Sequence, residues 1–278
     1  MPVGWEWDET LFRGSAPYYE AGRLPYAPGV VDALTDALAL DGTGRLLDVG
    51  CGPGTATLPL AGSFEEAVGV DPDTDMLAEA RRRAERAGIG NVRWVRARAE
   101  DLPAGLGTFR VAMFAQSFHW MARDRVATTI RGMLQPGGAF VQLSDVKEPV
   151  STTDLPFPAP PYAAIAELVR DYLGPVRRAG QGVLRSGTPG DEAAVLSRAG
   201  FAAPLRLRVP AGAVLERSVD DVVATVYSLS FSAPHLFGER RERFEDDLRR
   251  LLHRAADHGR FAQRVPDSEL FVWRTTDR

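Results

Sequence analysis

Two carboxylates and three glycines carry the clearest chemistry in this chain of 278 residues. Asp48 is followed by glycines at alternate positions, Gly50, Gly52 and Gly54, and Asp71 stands 17 residues beyond the last of them. Without a Cβ, these glycines let the backbone take left-handed dihedrals and let a ligand approach closely. A helical pattern from Thr55 opens directly after the turn, and the N–H groups of a helix start are unpaired and point outward. The second acid ends the next apolar run, Val68-Gly69-Val70-Asp71. That spacing places a carboxylate on a ribose in a nucleotide-binding strand–helix–strand unit.

The glycine spacing separates two ligand classes. Dinucleotide folds use G-x-G-x-x-G and hold a pyrophosphate at the helix start. Here the pattern is G-x-G-x-G, and Thr55 stands where the third glycine of that fingerprint falls. Asp48, just before the turn, repels a pyrophosphate and suits an ammonium group. S-adenosyl-L-methionine (SAM) carries an ammonium, a ribose and an adenine. The run Leu46-Leu47-Asp48-Val49-Gly50-Cys51-Gly52-Pro53-Gly54 resembles the first motif of the class I SAM-dependent methyltransferases, D-x-G-x-G-x-G, position for position.

The resemblance implies an α/β fold: a Rossmann-like seven-stranded, mostly parallel sheet with helices on both faces, the last strand antiparallel, plus helical cap insertions. It implies SAM as cofactor and in-line methyl transfer to a small-molecule acceptor, with oxygen, as carboxylate or hydroxyl, the leading acceptor atom. Asp48, Gly50, Gly52 and Gly54 hold the cofactor in this reading, and Asp71 takes two ribose hydroxyls. Met76 packs either on the adenine face or in the core. In Arg98-Ala99-Glu100-Asp101-Leu102-Pro103 the family holds the adenine. Many members have Asp where Arg98 stands, so the Ala99 N–H and the Glu100 or Asp101 carboxylate take over that contact. Gln116, at the end of the fourth strand, joins the cofactor set.

Gln116-Ser117-Phe118-His119-Trp120-Met121 follows that strand, where the transferring methyl lies in this family. Phe118, His119 and Trp120 are the candidate acceptor residues, and His119 is the candidate catalytic one. As a general base it would make the rate rise with pH through roughly 6.5, the reference imidazole value. As an imidazolium orienting a carboxylate it would do the reverse. A packed histidine is the plain alternative. Phe-His-Trp resembles a branch that includes trans-aconitate-type carboxyl methyltransferases. By the same resemblance Tyr18, Tyr19 and Arg23, in Tyr18-Tyr19-Glu20-Ala21-Gly22-Arg23-Leu24-Pro25-Tyr26, close over SAM, and Arg23 pairs with its carboxylate. A surface segment is the plain reading of those residues.

Composition limits the alternatives. Thirty-three basic residues against 37 acidic ones leave a net charge of −4, so the basic footprint of a nucleic-acid binder is absent. No run of about 18 apolar residues is available to span a membrane. The start of the chain, with acids and tryptophans, is unlike a signal peptide. A cytoplasmic protein with a small-molecule partner, no nucleic acid and no membrane is expected. The single Cys51 excludes an internal disulfide and any Cys-rich metal site. It reads as a small loop residue, and no metal is expected.

The elements that must position these groups alternate. Helical periodicity covers Ala27 to Leu40, with Pro28 near its start. Strand one is Arg45 to Val49, followed by a helix from Thr55 to Ala61. Strand two is Ala67 to Val70. Asp71-Pro72 caps a helix that runs through Ala87 and closes at Gly88. Its Arg81, Arg82 and Arg83 read as a solvated face. Strands Val92 to Arg96 and Arg110 to Ala115 follow. A helix from Arg123 to Leu134 ends at Pro136-Gly137-Gly138, and Ala139 to Val146 is strand five. Strands alternating with helices argue for a parallel sheet. Pro149, Pro156, Pro158, Pro160 and Pro161 then mark a linker or lid entry. Helices are expected at Tyr162 to Leu173, Asp191 to Arg198, Val219 to Phe231 and Glu239 to Ala256, with strands at Leu205 to Leu215 and Leu270 to Thr275.

Residues 1–278 read as one methyltransferase domain: 1–40 a helical segment over the cofactor, 41–146 the SAM-binding core, 147–190 and 217–260 cap insertions. Arg177 and Arg178 in the cap read as a solvated pair. Pro160-Pro161-Tyr162 resembles the Pro-Pro-Tyr of amino-methylating nucleic-acid enzymes, but it follows strand five rather than strand four. Two other functions use the same motifs: a SAM-binding protein without methyl transfer, and an NAD-dependent oxidoreductase. SAM and S-adenosylhomocysteine should bind in calorimetric titration and NAD should not. Methyl transfer should persist in EDTA, and turnover lost in EDTA and restored by magnesium would expose a missed metal site.

Overall fold

The structure, a computed structural model, describes residues 10–148, 150–175, 178–179, 182–183 and 191–275. Pro149 and Arg177 lie outside the described residues. The chain divides into two compact units. One comprises residues 26–147, 188–211 and 266–278; the other comprises residues 1–25, 148–187 and 212–265.

The first unit is built on strands β1 (Arg45–Val49), β2 (Glu66–Asp71), β3 (Val92–Arg96), β4 (Phe109–Ala115) and β5 (Leu134–Asp145). Two short strands outside this sheet, β6 (Arg178–Ala179) and β7 (Gly182–Val183), pair with each other. The sheet is completed by β8 (Leu205–Val209) and β11 (Ser268–Arg274). Its order is β3-β2-β1-β4-β5-β11-β8, and β11 runs antiparallel to both neighbours while the other pairs are parallel. This is the Rossmann-like seven-stranded sheet with an antiparallel last strand. The order reverses between β1 and β4, which are hydrogen-bonded neighbours. In open parallel sheets a ligand crevice forms at that switch point, outside the carboxyl ends of the strands.

Alternation of side chains assigns the faces. Leu47 and Val49 join Phe114, Phe118, Phe140 and Trp273 in one core layer, with Val126 and Ile130 of helix α5 (Arg123–Met133) and Leu196 of α7 (Glu192–Arg198). Leu46 faces the other layer with Val111, Met113 and Val141, against Leu34 of α2 (Val30–Leu38) and Leu60 of α3 (Thr57–Leu60). A strand covered on both faces is apolar almost throughout, as β1 is. Arg45 at its edge and the buried Asp48 are the exceptions, and by alternation Asp48 shares the α3 face with Leu46.

The second unit has α1 (Ala16–Gly22), α6 (Tyr162–Leu173), α8 (Val219–Tyr227) and α9 (Arg241–Ala255). It also holds an antiparallel pair, β9 (Val214–Ser218) with β10 (Arg260–Arg264). Val222, Tyr227, Phe237, Phe244, Leu248 and Phe261 form its core.

Four expectations need correction. Helix α4 (Thr74–Ala87) is capped by Asp73, whose carboxylate accepts from the N–H groups of Asp75 and Met76 at 2.8 and 3.1 Å, not by Asp71-Pro72. Pro136-Gly137-Gly138 lies inside β5, because a register shift between Phe109 and Val111 absorbs the extra residues as a bulge. The expected long strand from Leu205 is two strands, β8 and β9, broken at Pro210-Ala211-Gly212, where Gly212 has φ +66°. Strand β10 carries little signal in the sequence, since Arg-Phe-Ala-Gln-Arg alternates only weakly. Arg83 is also no solvated side chain: its Nη1 donates to the Pro53 carbonyl at 2.9 Å and to the Thr55 hydroxyl at 3.3 Å.

Gly69 in β2 is the tightest point under the glycine turn. A Cβ there would lie 2.5 Å from the Trp94 ring and 2.9 Å from Cys51 Sγ. Overpacking of this kind costs about 1–3 kcal/mol. Gly69→Ala should therefore lower the unfolding free energy from urea denaturation by that amount, and an unchanged midpoint would show that Trp94 can move aside at no cost.

Candidate functional site

The carboxyl end of β1 turns through three glycines with positive φ: Gly50 at +71°, Gly52 at +52° and Gly54 at +75°. Each has a different neighbour. A Cβ at Gly50 would meet Ser117 Cβ at 2.7 Å, and one at Gly54 would meet the Trp94 ring at 2.7 Å, whereas nothing lies within 4 Å at Gly52. The turn is thus pressed from two sides and open at its middle. The N–H groups of Gly50 and Cys51 donate to the Val70 carbonyl at 2.8 and 3.1 Å. The Gly52 N–H donates to Asp71 Oδ2 at 2.8 Å, and the Asp73 N–H donates to Asp71 Oδ1 at 2.9 Å.

Asp71 therefore holds the turn while keeping lone pairs on both oxygens, since each carboxylate oxygen has two. Burial pushes its carboxyl up to about 6, against the pull of those two N–H groups. Asp48 is wholly buried. Its Oδ2 accepts from the Thr57 hydroxyl at 2.6 Å, and its Oδ1 has no partner. Burial, reinforced by the Asp71 charge and opposed by the Thr57 hydroxyl, pushes it up to about 7. A cofactor with vicinal hydroxyls and an ammonium group fits this set. Its hydroxyls would find the spare lone pairs of Asp71, the orphaned Asp48 oxygen calls for a donor or cation, and the bare backbone at Gly52 leaves room.

Met76 is 3% exposed and lies on the buried side of α4. Ala99 is buried in a short 3-10 turn, Ala99–Asp101. The Glu100 carboxylate accepts from the Ala122 N–H at 2.8 Å and so serves the start of α5. That leaves the Ala99 backbone as the less committed group of the pair.

The turn after β4 is clamped on both sides. Gln116 has φ +53°; its N–H donates to the Leu143 carbonyl at 2.9 Å and its side chain to Asp145 Oδ2 at 2.8 Å. Gln116 is thus spent on β5. Ser117 donates to the Val49 carbonyl at 2.5 Å and fills the space beside Gly50. Phe118 is 2% exposed, 5.1 and 5.2 Å from the rings of Phe114 and Phe140, so it belongs to the core and backs the site rather than facing it. His119 and Trp120 are half-buried, with ring centroids 4.3 Å apart. His119 follows the end of β4 and Lys147 the end of β5, two strands that pair in parallel. Burial, then the charges of Lys147 and Arg123, lower His119 to about 4 instead of the reference 6.5.

Tyr18, Tyr19 and Arg23 belong to the second unit. The Arg23 guanidinium lies 4.9 Å over the Tyr19 ring and donates to the Ser228 carbonyl at 2.8 Å. Tyr18 packs 5.0 Å from Tyr227. Thr57, Ser117, Trp94 and Arg83 were missed. Alternation from Leu46 to Asp48, toward the helix after the turn, is the signal that points to Thr57. Among the described residues no three His, Cys, Asp or Glu side chains cluster to hold a metal, and no helix is long and apolar enough to cross a membrane.

Residues 46–138 match a family model described as a methyltransferase domain. The chain is 33% identical over 132 residues to an uncharacterized methyltransferase of Mycobacterium tuberculosis, covering 47% of this chain and 51% of that one. It thus spans about half the length of that relative. A 40% identity over 75 residues links it to an uncharacterized RNA methyltransferase of Thermosynechococcus vestitus, covering 27% of this chain and 17% of that protein. In fold it is similar to a SAM-dependent methyltransferase from Thiobacillus denitrificans in complex with S-adenosyl-L-homocysteine. There the TM-score is 0.50 and the identity 17%, with 93% of this chain and 96% of the other covered.

If Asp71 takes the ribose hydroxyls it does so best when charged, so bound cofactor would lower its pKa and itself bind more weakly as pH falls. S-adenosylhomocysteine affinity should be flat above about pH 7, where Asp48 and Asp71 are both charged, and fall below it by up to tenfold per unit for each carboxylate. Asp71→Ala removes charge-assisted bonds worth about 1.5–3 kcal/mol each and should weaken binding at least tenfold. Calorimetry reads both, and wild-type affinity in the variant would free Asp71 from this role.

Proposed function

We propose that this chain, which belongs to the class I SAM-dependent methyltransferases, moves a methyl group onto an anionic oxygen, foremost a carboxylate, of a small-molecule acceptor. The cofactor of the family is SAM, whose sulfonium makes the methyl carbon electrophilic. The protein's task is then to bind, to align and to keep water out. The glycine turn gives the cofactor backbone access, Asp71 takes the ribose, Asp48 faces the ammonium, and the buried Ala99 turn borders the adenine.

One observation carries the choice of acceptor. The turn after β4 presents a neutral imidazole at physiological pH, with Lys147 and Arg123 close enough to hold it so. A group titrating near 4 is a poor base for an ordinary hydroxyl, because general-base efficiency is best near the working pH. A carboxylate needs no base, and the same two cations favour its approach. Arg123 is also paired with Asp191 at 2.5 Å, which leaves exposed Lys147 as the more available charge. The neutral His119 ring contacts the acceptor in this reading, and Trp120 shields it. The net charge of −4 favours a small molecule over nucleic acid.

A panel of small carboxylic acids, phenols and aliphatic alcohols, scored by S-adenosylhomocysteine release, tests this. Carboxylic acids should lead, with a rate at saturating cofactor that is flat from about pH 5 to 8. His119→Ala should lose about tenfold in turnover and leave cofactor affinity within about threefold. A loss of about 10²–10⁴-fold, with a wild-type rate rising through 6.5, would instead make His119 a general base and the acceptor a hydroxyl.

A further inference from the structure

Asp48 has two chemically equivalent oxygens in very different situations. Both are buried with the residue, yet Oδ2 accepts the Thr57 hydroxyl at 2.6 Å and Oδ1 accepts nothing. Thr57 is itself wholly buried at the first position of α3, on the face of β1 that alternation assigns to Asp48. Its hydroxyl is a single donor, so it occupies one oxygen and leaves the other open. The other ionisable groups near Asp48 are Asp71 and the Cys51 thiol. The Cys51 thiol donates to the Gly52 carbonyl at 3.6 Å, and Asp71 brings a like charge, so neither satisfies Oδ1.

We propose that Thr57 is a positioning residue for the cofactor's amino-acid end. By holding Oδ2 it fixes the Asp48 carboxylate with Oδ1 free for the ammonium group. The inference rests on the reading of SAM as cofactor. It gives the residue three places after Gly54 a role in cofactor selection, although its side chain points away from the open middle of the turn and toward the sheet. Without the hydroxyl, the carboxylate is free to rotate and has less reason to stay charged, and the ammonium loses its fixed partner.

A purely structural role, pinning α3 to β1, would affect every ligand of the turn alike. Two ligands separate the cases. S-adenosylhomocysteine carries the ammonium, whereas 5′-methylthioadenosine has the same adenine, ribose and thioether without the amino-acid end. Calorimetric titration of Thr57→Val should show S-adenosylhomocysteine weakened tenfold or more and methylthioadenosine within about twofold of wild type. Thr57→Ser, which restores the hydroxyl, should recover S-adenosylhomocysteine to within about threefold. Equal weakening of both ligands, or no weakening of either, overturns the proposal. If Thr57→Val does not fold, Thr57→Ala against Thr57→Ser gives the same split. A wild-type protein that binds neither ligand would overturn the cofactor reading itself, an outcome distinct from any of these.

Discussion

The Gly52 amide donates to the Asp71 carboxylate, and that bond, beyond those from Gly50 and Cys51 to the Val70 carbonyl, ties the glycine turn to the acid that ends β2. It forms with the left-handed backbone of Gly52, and only if β2 delivers an acid at the same height. Around it the structure has little freedom. Gly50 must lack a side chain because Ser117 stands there, and Gly54 because Trp94 does. Arg83 closes the far side by reaching from α4 to the Pro53 carbonyl. The turn is therefore a rigid edge of the sheet, which suits a site whose main work is alignment rather than chemistry.

Charge is distributed unevenly across the switch point. On the β1–β2 side two buried carboxylates are held above the ordinary carboxylate range. On the β4–β5 side a histidine is held below its own, beside Lys147 and Arg123. Each group is pushed toward its neutral form by burial, and a ligand of opposite character relieves it. In the proposed function a cationic ligand end lies on the first side and an anionic one on the second. This polarity matches a sulfonium donor with an ammonium group and an acceptor that brings negative charge.

Local pattern made part of this legible. The glycine motif, Asp71 and strands β1 and β3 depend on spacing and alternation within a few residues, and they stand where the sequence places them. Helix α6 does too, from Tyr162 to Leu173. What local pattern could not supply were partners distant in sequence. Glu100 reads as a free acid until the start of α5 arrives 22 residues later and takes it. Gln116 reads as a ligand group until Asp145 accepts its amide, and Phe118 as a pocket wall until Phe114 and Phe140 enclose it. Pro136-Gly137-Gly138 looks like a helix stop because a bulge in a buried strand depends on the register of β4, which no window around residue 136 contains.

Cys51 is the only thiol in the chain and sits between Gly50 and Gly52, 6% exposed, with its sulfur facing the spot beside Gly69. Burial and the nearby Asp71 and Asp48 carboxylates raise its pKa well above the usual thiol value, so in the closed turn it is neither accessible nor nucleophilic. Alkylation then requires the turn to open. A maleimide or iodoacetamide trace on the unaltered protein is consequently a clock for that opening, with no probe to engineer and no second cysteine to confuse the signal.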